Sequence, residues 1–405
     1  MSSACCGAFR PGGLRVRENC DCLIVGGGIH GVGVAQALAA AGHDVIVLEK
    51  KALAAGASGK SSKLIHGGLR YLESGNLALV RESLHERELL LRLAPELVKR
   101  TPFHLPVYGV NSRPAWQLRV GLGLYALLAG LGEGARFSAL GRSCWDQLDG
   151  LCTEGLKTVF RYWDAQTDDA ELTRAVMRSA ASLGARLFCP ALFLGAERSP
   201  SGFLVRVLMD GRESEVCARC IVNAAGAWAV GITGAFNPEL GAAAVENVQG
   251  AHIELPGRIE GGCYYMEVPQ DKRAVFVMPW KGRTLVGSTE NLHHGSPDEV
   301  TPLAEETDYL LRVFRRYFPE RPTEVLDSWA GLRVLPRSQA GPFGRSRETR
   351  LQVDGPPLSR VVSVYGGKLT AYRATAAKVL RLLVPSLPQR SPRADTRELI
   401  LKPES

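Results

Sequence analysis

The stretch GGGIHG, which follows the apolar run CLIV over residues 22–25, constrains this chain more than any other feature. Gly26, Gly28 and Gly31 stand in G-x-G-x-x-G spacing. After them an alanine-rich segment keeps helical periodicity to residue 41, and Gly42 supplies the stop. A second apolar run over residues 45–48 ends at Glu49. Strand, glycine turn, helix and strand make a βαβ unit, which implies a parallel sheet covered by helices. In such a unit the first glycine allows the tight turn, the second lets the backbone approach a pyrophosphate, and the third packs helix against strand. The helix N-terminus then faces the anion. Glu49, with Lys50 beside it, stands where a carboxylate accepts the ribose hydroxyls of a dinucleotide.

The chain has 405 residues, enough for two or three units at about 100–200 residues each. With 45% hydrophobic and 22% charged residues it is globular rather than disordered. The net charge of +8 suits an anionic substrate or an anionic membrane surface, and no motif supports nucleic-acid binding. Ten scattered cysteines in so long a chain point to a reducing compartment, hence a cytoplasmic location. Cys217 and Cys220 have CxxC spacing but run straight into IVNAAG, so they read as a strand end and no metal site is expected. Residues 1–19 hold no apolar core of a secretory signal and read as an extension. The run VGLGLYALLAGLG over residues 120–132 is too short to span a bilayer, which takes roughly 20 residues. Preceded by Arg113, Trp116 and Arg119, it fits either a helix pressed into the inner face of the cell membrane or a core helix.

Further glycine segments suggest which dinucleotide is bound. A loop, AAGASGKSSK, follows Glu49 and offers hydroxyls and amides to a phosphate. CIVNAAGAW places a strand before Gly226. VVSVYGGKLTAYR gives a strand, then Gly366 and Gly367 with Lys368, Leu369 and Thr370, then a helix. A second glycine-pair helix start, without a second nucleotide fingerprint, suits one long flavin dinucleotide clamped at both ends, that is FAD. The remaining block, SSKLIHGGLRYLE over residues 61–73, packs two serines, a lysine, a histidine, a glycine pair, an arginine and a tyrosine among apolar residues.

GGGIHGVG, SSKLIHGGLRYLE, AGLRVLP and YGGKLTAYR together, in this order, resemble the FAD-dependent glycerol-3-phosphate dehydrogenases of the wider D-amino-acid oxidase clan. The resemblance implies an α/β fold: a Rossmann-like FAD-binding domain with a discontinuous α+β substrate domain that carries a mixed or antiparallel sheet. It also implies that Ser61 and Ser62 lie along the FAD phosphates and that His66, Arg70 and Tyr71 line the substrate cavity over the flavin. Members usually continue for about another domain's length past YGGKLTAYR. They usually show aspartate where this chain has Glu290 and a small polar residue where it has His30.

The residues themselves suit that chemistry. Oxidising a secondary alcohol takes a hydride acceptor, a base for the hydroxyl proton and positive charge to hold a phosphate. His66 is the candidate base, because an ordinary imidazole titrates nearest working pH. Arg70, four residues on, shares a face with His66 if the segment is helical, and it can stabilise the alkoxide. Arg333, on the AGLRVLP turn, offers a fork that matches phosphate oxygens. Lys368 serves the flavin ring or the substrate. The expected reaction is oxidation of sn-glycerol 3-phosphate to dihydroxyacetone phosphate, with electrons leaving to quinone or oxygen. The alternatives are a related oxidase of an amine, amino acid or 2-hydroxy acid, and a flavin-binding protein without turnover. Residues 20–90, 155–235 and 325–385 are expected in the FAD-binding domain, 91–154 and 236–324 in the substrate domain, and 386–405 as a tail. Residues 245–289 read as strands and 303–318 as a helix.

Overall fold

A computed structural model describes residues 17–73, 75–130, 132–337, 348–355 and 358–404. Contacts divide the chain into two compact units: Met1–Gly59, Ala170–Val245 and Arg347–Ser405 form one, Lys60–Asp169 and Glu246–Ser346 the other.

The first unit is built on a sheet whose centre is apolar on both faces. Strand Arg17–Val25 runs parallel to Val45–Leu48 on one side and to Arg212–Asn223 on the other. Arg186–Phe188 extends the sheet beyond Val45–Leu48, and Val361–Tyr365 joins Arg212–Asn223 in parallel. An antiparallel run of Ala191–Ser199 and Gly202–Met209 completes it on the far side. The pattern VIVL, wholly buried, is what parallel strands covered on both faces require. Helix Ile29–Ala40 is buried nearly all round, which explains its alanine and glycine content and its lack of a polar stripe. It lies against helix Tyr372–Leu383 so closely that a Cβ on Gly33 would come within 2.6 Å of the Tyr372 ring. The strand begins at Arg17, so residues 17–19 of the expected extension belong to the sheet, and the rest of that extension lies outside the described residues. The tail is tied down: Arg393 N–H donates to the Ala40 carbonyl at 2.7 Å and Arg390 pairs with Asp21 at 3.2 Å.

In the second unit the strands Val245–Leu255, Cys263–Glu267, Ala274–Trp280 and Arg283–Gly287 form the antiparallel sheet expected over residues 245–289. Cys263–Glu267 then pairs in parallel with Val98–Tyr108, which pairs antiparallel with Leu156–Thr167 and so makes the sheet mixed. Helix Ala304–Tyr317 seats Phe314 against the buried Tyr264 and Phe318 cluster. Helices Leu77–Leu93 and Ala115–Leu128 cover a second apolar cluster that holds Tyr71, Leu84, Phe103, Tyr125 and Tyr162. Residues 60–90, 155–169 and 325–337, expected with the FAD-binding part, belong here instead. The reason is pairing: Leu64–Ile65 bonds to Leu156–Thr167, and Asp327–Pro336 to Val245–Leu255. Strand Phe236–Asn237, expected in the substrate part, joins Ala191–Ser199 in the first unit. Among the described residues no helix is long and apolar enough to cross a membrane.

Candidate active site

In the first unit the chain leaves strand Arg17–Val25 through a turn that only glycines fit. Gly26 has φ +111°, and a Cβ there would lie 2.6 Å from the Ala224 carbonyl oxygen. A Cβ on Gly31 would lie 1.9 Å from the oxygen of Gly26, so helix and turn touch backbone to backbone. Gly28 is different: a Cβ there meets only the Ser58 hydroxyl, at 3.2 Å, leaving its other side open. It caps helix Ile29–Ala40, whose first turn carries no acidic side chain and whose Ile29 N–H donates to the Ser58 hydroxyl at 2.9 Å. Glu49 is held rigid because its two oxygens accept from Gly27 N–H at 2.7 Å and Lys51 N–H at 2.8 Å. The Lys50 ammonium sits 4.0 Å from the centre of the Trp228 ring. Gly226, at φ +57°, opens the turn Gly226–Trp228 and has open space where a side chain would be.

The far glycine pair returns to this place. Gly366 and Gly367 adopt φ +70° and +100°, and a Cβ on Gly367 would lie 2.3 Å from Nε2 of His30. The fold therefore packs two segments from opposite ends of the sequence together. Lys368, Leu369 and Thr370 follow the pair, with Thr370 buried. Burial pushes the His30 imidazole down to about 4, so it is neutral at working pH. Its Nδ1 has no hydrogen-bond partner among the described residues. A glycine cradle at a helix N-terminus, open on the Gly28 and Gly226 sides, with a buried ring nitrogen left unsatisfied on the first turn of that helix, fits a dinucleotide phosphate bridge.

The second unit gathers positive charge. His66 follows strand Leu64–Ile65 directly, and Gly68, at φ +80°, then caps a short 3-10 turn over Leu69–Leu72. His66 and Arg70 thus lie on either side of a glycine break, not on one helical face, because the pair ends any helix that would span them. Arg333 is on a strand, Asp327–Pro336, rather than a turn. Its Nη1 donates to the Thr289 carbonyl at 3.3 Å and faces Glu290 Oε1 at 3.4 Å, and its Nη2 donates to the Ser288 hydroxyl. Gly250 makes the room, since a Cβ there would lie 2.6 Å from that Nη2. Burial and the charge of Arg70 push the Arg333 guanidinium down to about 10, whereas Tyr71 and Glu306 act the other way. Arg70 itself lies 5.9 Å over the Tyr71 ring.

Sequence reasoning missed His252. It is fully buried, its ring stacks on Trp329 with centroids 5.7 Å apart, and its Nε2 is 2.9 Å from the Ser62 hydroxyl. Gly287 gives it space, because a Cβ there would lie 2.2 Å from the ring. Glycine inside strands, at positions 250 and 287, was the available signal of close approach. The serines are engaged by this unit: Ser61 N–H and hydroxyl both donate to Asp169, at 2.9 and 2.7 Å, and Ser62 faces His252. Asp169 also takes the buried Lys63 ammonium at 2.7 Å, between the Trp280 and Trp329 rings. Ser61 and Ser62 are thus anchored by protein side chains within the second unit.

His252 makes stability depend on pH. Burial, Arg333 and Lys63 push its imidazole down to about 3. Between that value and the ordinary 6.5 the unfolded chain binds the extra proton, so stability is full above the ordinary value and is lost as pH falls. Going from pH 7 to pH 5 should cost about 2 kcal/mol from this residue. Thermal unfolding at the two pH values checks it: the drop in Tm should shrink in His252→Gln.

The sequence profile of the FAD-dependent oxidoreductase family, DAO, matches residues 21–373. The D-erythritol 1-phosphate dehydrogenase of Brucella abortus is 36% identical over 385 residues, covering 92% of this chain and 75% of the relative. A glycerol-3-phosphate dehydrogenase of Pseudomonas aeruginosa is 37% identical, with 90% and 72% covered. Among solved structures, the glycerol-3-phosphate dehydrogenase of Bacillus halodurans complexed with FAD aligns at TM-score 0.74 and 23% identity, covering 95% of this chain and 68% of that one. An L-alpha-glycerophosphate oxidase of Mycoplasma pneumoniae with FAD bound aligns at TM-score 0.76 and 17% identity, covering 96% and 100%.

Proposed function

From the premise that the chain belongs to the DAO family of FAD-dependent oxidoreductases, we propose that it oxidises sn-glycerol 3-phosphate to dihydroxyacetone phosphate and passes the electrons to quinone. One observation carries the substrate class: the Arg333 guanidinium is held in place by Ser288, the Thr289 carbonyl and Glu290, at 3.4 Å, in a buried setting that, with the charge of Arg70 second to burial, disfavours its positive charge. Two cations that repel each other are stabilised by a dianion placed between them. A phosphate monoester supplies that charge and two oxygens in the spacing of a guanidinium fork.

The two-electron chemistry is supplied by FAD, which when bound offers its ring N5 as hydride acceptor. Gly26, Gly28, Gly31, Glu49, Lys50, Gly226, Gly366, Gly367, Lys368, Leu369 and Thr370 would hold it. His66 takes the proton of the substrate hydroxyl on an imidazole nitrogen. Arg70 faces the oxygen on which negative charge develops and lowers its cost, and Tyr71 packs beneath Arg70. Arg333 grips the phosphate and fixes which carbon meets the base. Replacing His66 with Asn should lower the limiting rate of flavin bleaching by about 10²–10⁴-fold with FAD retained. Stopped-flow absorbance under anaerobic conditions measures it.

The deciding experiment is anaerobic addition of glycerol 3-phosphate, erythritol 1-phosphate, hydroxy acids and amines to the yellow protein, then quinone or air. Bleaching by the phosphates and reoxidation by quinone is the expected result. Bleaching only by amines or hydroxy acids, with peroxide on admission of air, would replace this reading by that of an oxidase. Erythritol 1-phosphate is included because a relative at 36% identity carries that name.

Peripheral contact with the inner face of the cell membrane completes the proposal. Helix Ala115–Leu128 turns Trp116, Val120 and Leu127 outward, at 69, 65 and 59% exposure, with the exposed Arg119 among them. Aromatic and aliphatic side chains flanked by arginine suit an anionic headgroup layer. Changing all three to Gln should abolish sedimentation with vesicles of anionic phospholipid and leave bleaching in solution unaltered.

A further inference from the structure

The second unit contains a buried charged network that the proposed mechanism leaves without a role. Arg87, 1% exposed, donates from Nη1 to Asp164 at 2.6 Å and to the Trp163 carbonyl at 2.9 Å. Its Nε and Nη2 both donate to Glu88, at 3.0 and 2.7 Å, so the whole fork is in use. Asp164, 2% exposed, also accepts the Tyr125 hydroxyl, whose oxygen lies 2.8 and 2.9 Å from the two carboxylate oxygens. That hydroxyl in turn accepts the backbone N–H of Gly67 at 2.8 Å, and the same N–H lies 3.3 Å from Asp164. Three elements far apart in sequence, helix Leu77–Leu93, helix Ala115–Leu128 and strand Leu156–Thr167, therefore converge on one peptide N–H. It belongs to the residue after His66.

Stability alone does not account for this arrangement. Tyr125 stands in an apolar cluster with Leu84, Phe103 and Tyr162, where an ion pair gains little over well-packed apolar side chains of the same volume. Burial pushes both the Tyr125 hydroxyl and the Asp164 carboxyl upward, which is the cost of placing them there. The two glycines beside His66 also differ in kind. Gly68 adopts φ +80°, a backbone conformation that demands glycine. Gly67 does not adopt positive φ, yet a Cβ on it would lie 2.5 Å from the Tyr125 hydroxyl and 2.5 Å from Leu84. Gly67 is small so that the hydroxyl can reach its main chain.

We propose that Tyr125 is a positioning residue for the oxidation: held by Asp164 and Arg87, its hydroxyl fixes the Gly67 peptide and so the aim of His66 and of the Leu69–Leu72 turn that carries Arg70. This rests on the roles given above to His66 and Arg70. His66 leaves a strand of two residues and Arg70 stands on a single 3-10 turn, with the glycine pair between them, so no long element fixes their aim, and a misplacement of about 1 Å at a reacting group costs on the order of 10²-fold in rate. The network supplies the missing rigidity from three neighbouring elements.

The test uses the FAD-loaded enzyme and three variants, with anaerobic bleaching by glycerol 3-phosphate followed as a function of its concentration. Tyr125→Phe keeps the ring and removes the hydroxyl. Its limiting bleaching rate should fall about 10- to 100-fold, with the half-saturating concentration within about 3-fold of wild type and with FAD content and bleaching by dithionite unchanged. The triple variant Arg87→Met, Tyr125→Phe, Asp164→Leu replaces the network by apolar groups of similar volume. It should unfold at or above the wild-type Tm and show the same rate loss, which a purely structural role does not allow. Leu84→Ala is the converse control: it touches Gly67 without a hydrogen bond, and should lower Tm while the limiting rate stays within about 2-fold. A wild-type limiting rate in both network variants overturns the proposal. So does a rate loss in Leu84→Ala as large as that in Tyr125→Phe. Failure of wild-type enzyme to bleach with any of the phosphates is a separate result, which defeats the substrate assignment and this inference with it.

Discussion

Arg333→Ala should lower kcat/KM for glycerol 3-phosphate by roughly 30- to several thousand-fold while leaving the small activity toward glycerol nearly unchanged. Truncating one partner of a part-buried, hydrogen-bonded charge pair costs about 2–5 kcal/mol, and each 1.4 kcal/mol is tenfold. Under the proposed role the loss is specific to the phosphate, because the guanidinium, held by Ser288, Thr289 and Glu290, is the group that would meet it. Arg333→Lys should fall between wild type and Ala, since an ammonium keeps the charge and loses the fork. Equal losses for phosphorylated and unphosphorylated substrate would show that Arg333 shapes the site without contacting the phosphate. Steady-state kinetics with the pair of substrates is sufficient.

Gly28→Val should give folded protein without colour. The space beside Gly28 is bounded on the protein side by the Ser58 hydroxyl alone, at 3.2 Å from where a Cβ would stand, and that hydroxyl accepts the Ile29 N–H, so it need give by only a few tenths of an ångström. The added methyls then occupy the approach of a pyrophosphate to the helix N-terminus. Overpacking costs about 1–3 kcal/mol, hence roughly 5- to 150-fold in FAD affinity, on top of the lost N–H contacts. Visible absorbance per mole of protein after dialysis reads the outcome, with Tm of the apoprotein as control. Full retention of FAD would contradict the role of the glycine turn. By contrast Gly26→Val and Gly31→Val should fail to fold, because their Cβ atoms meet backbone at 2.6 and 1.9 Å.

How much was legible in the sequence follows from the range of the interactions involved. The glycine turn, the strand before it, the first helix and Glu49 are dictated by local backbone geometry, and the structure places all of them as read. The antiparallel strands over residues 245–289 and the helix near residues 303–318 were readable from their periodicity. A shared face for His66 and Arg70 is conditional on a helix, and the glycine pair between them decides it, because only the 3-10 turn Leu69–Leu72 forms. The partners of Ser61 and Ser62 lie at Asp169 and His252, more than 100 residues away, and nothing in the local sequence points to them. The same is true of Tyr125, whose chemistry depends on Asp164 and Arg87 meeting it in space. That residues 60–90, 155–169 and 325–337 group with the second unit is set by strand pairing across the chain, and glycine-rich motifs say nothing about which sheet the neighbouring strands enter.

Strand Arg17–Val25 is bonded along its length to Arg212–Asn223, and the latter also pairs with Val361–Tyr365. On the ribosome one edge of this strand can pair early, through residues 22–25, with Val45–Leu48, whereas its other edge must wait for a partner made much later, at about 5–20 residues per second. Closing loops of that length makes assembly of this sheet slow compared with a helical bundle of equal size. Apolar strand edges stay uncovered for tens of seconds, and chaperone supply rather than transcript abundance should set the yield of soluble flavoprotein on overexpression.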